Sequence, residues 1–194
     1  MAQDLFNYYK HAISNGLCSE YKGRWRACHD NKEQLVKLVM AQQSLPHFIH
    51  YCYNGMGLSK EYIQETFGDY INGNAVINDA DGVDGYTYSL YVGFNGDFKA
   101  AMDVLSLMWC NNTNVTVETS KCPVIYVGCG SRVHLSLDGY NCPHIYLFDD
   151  SKVTIDDSDE DSKVVIYKYS DKAQVELGKY CLADVKVFDK QLKL

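Results

Sequence analysis

Three groups of residues in this chain have side chains that do chemistry. In "DDSDEDSK", residues 156–163, Asp156, Asp157, Asp159, Glu160 and Asp161 fall within one short stretch. Carboxylates this close raise one another's proton affinity and attract cations, which suits acid–base cleavage of a polysaccharide or a divalent ion. The plainer reading is a solvated acidic loop between repeats. Cys28, His29, His47, His50 and Cys52 are zinc-ligand types, but no C-x-x-C pair or regular zinc spacing accompanies them. "YKGRWRACHDNK", residues 21–32, gathers Lys22, Arg24, Arg26 and Lys32 around Trp25. Arg and Trp dominate binding hot spots, so Arg24, Trp25 and Arg26 are candidate contact residues. The competing reading is a core tryptophan with a wet basic side.

Other chemistries lack their signatures. "DADGVDG" looks like a calcium loop, yet counting from Asp79 the sixth position is Asp84 where the turn needs glycine. The twelfth is Leu90 where a bidentate glutamate is needed. There is no G-x-S-x-G elbow, no P-loop and no dinucleotide-binding glycine turn; "GCGSRV" has too few glycines and leads into another strand. No catalytic residue is assigned, and neither a metal nor a cofactor is expected.

The 194 residues carry a formal charge of -7, distributed unevenly. Residues 1–73 hold seven Lys and Arg against seven Asp and Glu, and the remainder eleven against eighteen. An acidic second part is a poor match for a phosphate backbone, so nucleic acid is not an expected partner there. No basic segment followed by an apolar run opens the chain, and no stretch is apolar enough to span a bilayer. A cytoplasmic protein is therefore expected, with its eight cysteines reduced.

The elements that must hold these residues come in two kinds. Up to residue 73 the apolar spacing is helical: a helix over 3–15, a second capped by Ser19, and a third capped by Asn31. A fourth starts at Ser44 and Pro46, and a fifth is capped by Ser59. Residues 74–104 read as a junction of turns and strands. From 105 the chain repeats itself. "SLMWCNNTNVTV" from Ser106, "VIYVGCGSRVHL" from Val124 and "HIYLFDDSKVTI" from His144 align without a gap. Leu107, Ile125 and Ile145 each precede a valine (Val115, Val133, Val153) by eight positions, and Thr113, Ser131 and Ser151 sit two before it. A fourth copy starts at Val165, and "ADVKVF" is a partial fifth. Short strands at a period near twenty mark a stacked solenoid, because one coil cannot bury its own apolar face.

The expected fold class is thus α+β: a small helical domain at 1–73 and a short parallel β-solenoid of about four coils at 105–194. The helices are expected to cap its N-terminal end, and charged "FDKQLKL" to blunt the other. In the strands Val133, Leu135 and Leu137 point inward, with His134 and Ser136 outward. Tyr126 and Tyr146 share an outward column, extended by Tyr167 if the register holds. Lys168 would then take an inward place, which suggests a one-residue slip in the last coil. Cys122 and Cys142 form another column, read as stacked thiols rather than a disulfide. Whether the tyrosine column is open to a partner or covered by the helices is undecided at this level.

"NGLCSEYKGRWRACHDNKEQLVKLV" with "GMGLSKEYIQETFGDYINGN" resembles small uncharacterised proteins of phages and prophages of gut anaerobes, in which a helical head precedes a β-rich repetitive tail. The likeness in wording covers roughly residues 5–75. It implies a mobile-element setting and a non-enzymatic, protein-binding role, with a bacterial defence component or a virion neighbour as partner. A virion structural or adhesin-like part that self-associates is the alternative. A carbohydrate-active enzyme using the acidic loop is the third reading.

Overall fold

The computed structural model describes residues 19–28, 31–40, 59–72, 87–118, 123–138 and 142–190, with Lys10, Ser14, Ile49, Ile77 and Asn78. From Thr87 onward it is a parallel β-solenoid. One wall is a seven-stranded sheet: β1 (Ile77–Asn78), β2 (Thr87–Val92), β4 (Val104–Met108), β6 (Val124–Gly128), β8 (His144–Leu147), β10 (Lys163–Lys168) and β12 (Asp184–Asp189) in that order. The facing wall has five strands: β3 (Gly96–Ala100), β5 (Asn111–Val117), β7 (Arg132–Leu137), β9 (Lys152–Asp157) and β11 (Gln174–Leu177). Except for β1, which runs antiparallel to β2, every pairing is parallel. The chain alternates between walls, giving about five turns and a final strand.

Two corrections to the sequence expectation follow from the register. The stack begins at residue 87, inside the stretch read as a junction, and has one turn more than expected. Tyr88 pairs with Val104 only sixteen residues on, whereas later turns repeat at twenty or twenty-one, so a search near twenty passes over the first turn. The gapless alignment of Ser106 was also two residues out. Ile125 pairs with Leu105 rather than Leu107, and Val133 with Thr113 rather than Val115. Because side chains alternate with period two, a shift of two leaves each residue on its correct face. Leu107 and Val115 are accordingly buried as expected.

Between the walls Leu105, Ile125, Ile145 and Ile166 form one interior column, with Leu107, Val127 and Leu147 beside it. From the facing wall come Val133, Leu135, Val153 and Ile155. The N-terminal end of this interior is plugged by three aromatic rings. Tyr91 stacks on Phe98 at 3.9 Å, and Phe94 meets both edge-on. At the far end no slip occurs: Tyr167 pairs with Tyr146, and Lys168 takes the inward column next to Leu147. Its ammonium is tolerated because the last turns are partly open and Asp189, its partner in β12, lies 3.6 Å away.

Each of the first four turns leaves the seven-stranded wall through a left-handed residue. Gly93, Trp109, Cys129 and Asp149 all have φ between 52° and 65°. Just beyond these lies a column of small buried residues, Cys110, Ser131, Ser151 and Ala173. Ser131 accepts from the Cys110 N–H at 3.1 Å and donates its hydroxyl proton to the Gly128 carbonyl at 2.6 Å. Burial pushes the Cys110 thiol up to about 11, so it stays protonated. Asp149 accepts the Cys129 N–H across turns, yet burial still pushes its pKa up to about 6.

That carboxyl makes stability depend on pH. Its folded pKa lies above the unfolded value near 3.9, so the contribution is fully present below about pH 4 and is lost as pH rises through about 6. The ionised form costs on the order of 2 kcal/mol. Asp149→Asn should melt with the parent near pH 4 and above it at pH 7, by about 4–8 °C. A difference in melting temperature that stays constant between pH 4 and 7 rules this out.

Before the solenoid, α1 (Ser19–Cys28), α2 (Lys32–Met40) and α3 (Lys60–Phe67) are helical. The caps read from the sequence are in place at two of them. Asn31 accepts the Gln34 N–H at 3.0 Å and Ser59 the Tyr62 N–H at 3.2 Å. Ser19, read as a cap, is the first residue of α1. The helices expected over 3–15 and from Ser44 fall largely outside the described residues, as do the "DADGVDG" turn, Cys122 and the possible ligands His29, His47, His50 and Cys52.

Candidate functional site: the outer face of the seven-stranded sheet

Outward residues of the seven-stranded wall form aligned columns, because strands stacked in parallel bring equivalent positions about 4.8 Å apart. The central column runs Leu90, Ser106, Tyr126, Tyr146, Tyr167, Phe188. Its rings stack with centroids 5.0 Å apart for Tyr126 and Tyr146, 5.0 Å for Tyr146 and Tyr167, and 5.8 Å for Tyr167 and Phe188. A second column sets Phe148 on Tyr169 at 5.2 Å, nearly coplanar in orientation at 5°. Ring spacing here follows strand spacing, so the backbone ladder itself positions the aromatic stripe.

The helical segment covers only the first part of this face. Leu35, Val36, Leu38, Ile49, Ile63 and Phe67 share a buried cluster with Leu90, Val92, Met108, Tyr126 and Phe148. Ile49 sits directly on Gly128, and its carbonyl lies 3.6 Å from Cys129 Sγ. Exposure rises along the column in consequence: Tyr126 is 2% exposed, Tyr146 and Tyr167 are half-buried, and Phe188 is 45% exposed. The stripe is thus covered at one end and open at the other. Tyr126, a candidate contact residue in the sequence, is withdrawn from any partner by this packing. Burial, followed by the neighbouring Tyr167 and Tyr169, raises the pKa of the Tyr146 phenol, so it is neutral at physiological pH.

Around the open part, Lys190 approaches the Tyr167 ring at 5.7 Å and His144 lies 6.0 Å from it. The rows therefore offer flat aromatic surface with a lysine and an imidazole at its margin. Arg24 and Arg26 are on α1, half-buried and exposed respectively. The side chain of Trp25 lies outside the described residues. The basic strip and the tyrosine column thus belong to different elements.

The acidic stretch does not converge as its sequence suggests. Asp156 and Asp157 end strand β9 and so point to opposite faces. Asp156 is on the outer face of the five-stranded wall, where one oxygen lies 2.8 Å from His134 Nε2 and the other accepts the Tyr180 N–H at 2.9 Å. Asp157 turns inward, is buried, and accepts the Asp159 N–H at 2.9 Å. Asp159 in turn accepts from Asp161. Asp156 thus ties neighbouring turns together, while Asp157 and Asp159 fold their own loop, and the carboxylates do not face one substrate. The His134 and Asp156 pairing was missed in the sequence, although both occupy outward places on neighbouring turns, two residues out of direct register. No group of three or more His, Cys, Asp or Glu suited to a metal is found among the described residues. Among them, too, no helix is long and apolar enough to cross a membrane. Cys142 is a free thiol, as are Cys28, Cys110, Cys129 and Cys181.

Comparison with known proteins gives no matching family model, no matching curated protein and no matching solved structure, so the functional reading rests on the face itself.

Proposed function

We propose that this chain is a non-enzymatic binding protein, with a helical head over one part of a β-solenoid and a protein partner on the part left open. The observation that carries the reading is the stacked row of Tyr146, Tyr167 and Phe188 emerging from beneath the helices. Aromatic side chains held rigid by the backbone lose little entropy on binding and dominate interface energetics. The resemblance to phage and prophage proteins favours a bacterial defence component or a virion neighbour as the partner. Cleavage of a carbohydrate by the acidic stretch has less support, since Asp156 and Asp157 face opposite ways.

The test compares the parent protein with Tyr167→Ala, each immobilised and exposed to lysate of a host bacterium. A partner retained by the parent should bind the variant at least about tenfold more weakly, a loss of about 1.4 kcal/mol or more. Circular dichroism melts should show the variant still folded. A partner held equally by folded parent and variant overturns the assignment of this face.

A further inference from the structure

The two ends of the seven-stranded wall are finished differently. At the N-terminal edge β2 has partners over much of its length. β1 pairs with Thr87 and Tyr88; the Asn72 N–H donates to the Leu90 carbonyl at 2.6 Å. Asn72 Oδ1 accepts the Val92 N–H at 2.9 Å, and Gln64 Nε2 donates to the Val92 carbonyl at 2.9 Å. At the other edge β12 has a neighbour on one side only, β10, among the described residues. Among the described residues, the large hydrophobic side chains most exposed to solvent, Leu177, Tyr180, Leu182, Val187 and Phe188, all belong to this last turn and strand. An open strand edge with apolar neighbours is a template for another strand, and solenoids ordinarily finish such ends with a polar cap.

We infer that β12 pairs antiparallel with β12 of a second copy, joining two solenoids tail to tail through a two-fold axis at Val187. Because the N-terminal edge of this same sheet is occupied by β1, Asn72 and Gln64, the seven-stranded wall offers β12 no bare edge for a head-to-tail contact, and a closed, self-complementary dimer is the symmetric solution for β12. The charges of the strand fit this register. Centring the pair on Val187 sets Asp184 opposite Lys190 of the second copy, and Lys190 opposite its Asp184. Lys186 then faces Phe188 in both directions. Sliding the strand by one pairing step instead centres it on Lys186, placing two ammonium groups opposite each other, which disfavours it. In the favoured arrangement the outer faces of both sheets lie on the same side. The open aromatic stripes become neighbours on one continuous surface, so the dimer would present two copies of the binding face proposed above.

The experiment is light scattering coupled to size exclusion, using the purified full chain alone, so it is independent of any partner. The expected species has about 44 kDa, twice the 22.0 kDa chain. Lys190→Asp should weaken the dimer at least about tenfold by placing like charges opposite one another twice. Asp184→Lys should do the same, and combining the two substitutions should restore the dimer because the pair is merely exchanged. A monomer at about 100 μM overturns the inference, since a functional interface is occupied well below that concentration. A dimer indifferent to both single substitutions overturns the register and the edge. Failure of these outcomes leaves the Tyr167 test untouched, because that test reads partner retention by a different residue.

Discussion

Ile145→Asp is expected to abolish cooperative folding of the solenoid. Ile145 is fully buried, at the middle of a column of Leu105, Ile125 and Ile166, and its strand has a hydrogen-bonded neighbour on both sides. A carboxyl placed there has apolar side chains around it and no cation to pair with. The cost of burying it exceeds about 4 kcal/mol, a large share of the total stability of an ordinary domain. In a solenoid each turn leans on its neighbours, so a failed middle turn separates the two ends rather than causing a local defect. Val133→Asp, on the facing wall, has the same expected outcome. Far-UV circular dichroism during heating provides the measurement. Melts within a few degrees of the parent are incompatible with these residues lying between the walls.

Gly128→Ala is expected to lift the helical segment from the sheet while leaving the solenoid folded. A Cβ at Gly128 would lie 2.1 Å from Ile49 Cγ2, a distance no packed pair tolerates, while Ile49 Cβ is 3.5 Å away. Gly128 has no positive φ, so the backbone accepts alanine and only the contact with Ile49 objects. The single substitution should cost about 1–3 kcal/mol as overpacking. Ile49→Ala should cost about 2–5 kcal/mol by leaving a hole. The two together should cost less than their sum by about 0.5–3 kcal/mol, because alanine at 49 vacates the place that the new methyl takes. Denaturant unfolding of the four proteins measures this, and limited proteolysis of Gly128→Ala should cut the helical segment first. Strict additivity would place Ile49 away from Gly128 and undo the account of why Tyr126 is covered.

Both substitutions bear on what was readable in the chain beforehand. Ile145 was legible as an interior residue because the strands repeat and alternate: "HIYLFDDSKVTI" and "VIYVGCGSRVHL" align at a fixed spacing, and the Ile–Tyr step assigns one residue inward and the next outward. Even the two-residue error in aligning Ser106 did no harm to facing, since the pleat has period two. The first turn escaped notice for the opposite reason. Its strands recur after sixteen residues, with Gly93 and Gly96 supplying tight corners at positive φ, so it lacks both the length and the letters of the later turns. Gly128 carried no signal at all. Its importance comes from Ile49, a residue far away in sequence that comes to rest against it.

The same division runs through the candidate site. Tyr126 and Tyr146 were identifiable as one outward column from spacing alone, because parallel stacking converts a sequence period into a row in space, whereas the inward place of Lys168 spoke for a slip at Tyr167 that the structure does not have. What spacing has no means of expressing is the exposure of that row, which depends on where a separate helical segment docks. The same holds for the acidic stretch: five neighbouring carboxylates look like one site, but a strand sends Asp156 and Asp157 to opposite faces. By itself the sequence determined the solenoid, the inward and outward residues, and the caps at Asn31 and Ser59, all of which are set by neighbours along the chain or by its own repetition. Only the tertiary structure decided that the tyrosine column is buried at Tyr126 and open at Phe188, and that, among the described residues, one end of the sheet is covered while β12 at the other has a neighbour on one side only. Those outcomes depend on contacts between segments that share no period, and they are where the function of this face is decided.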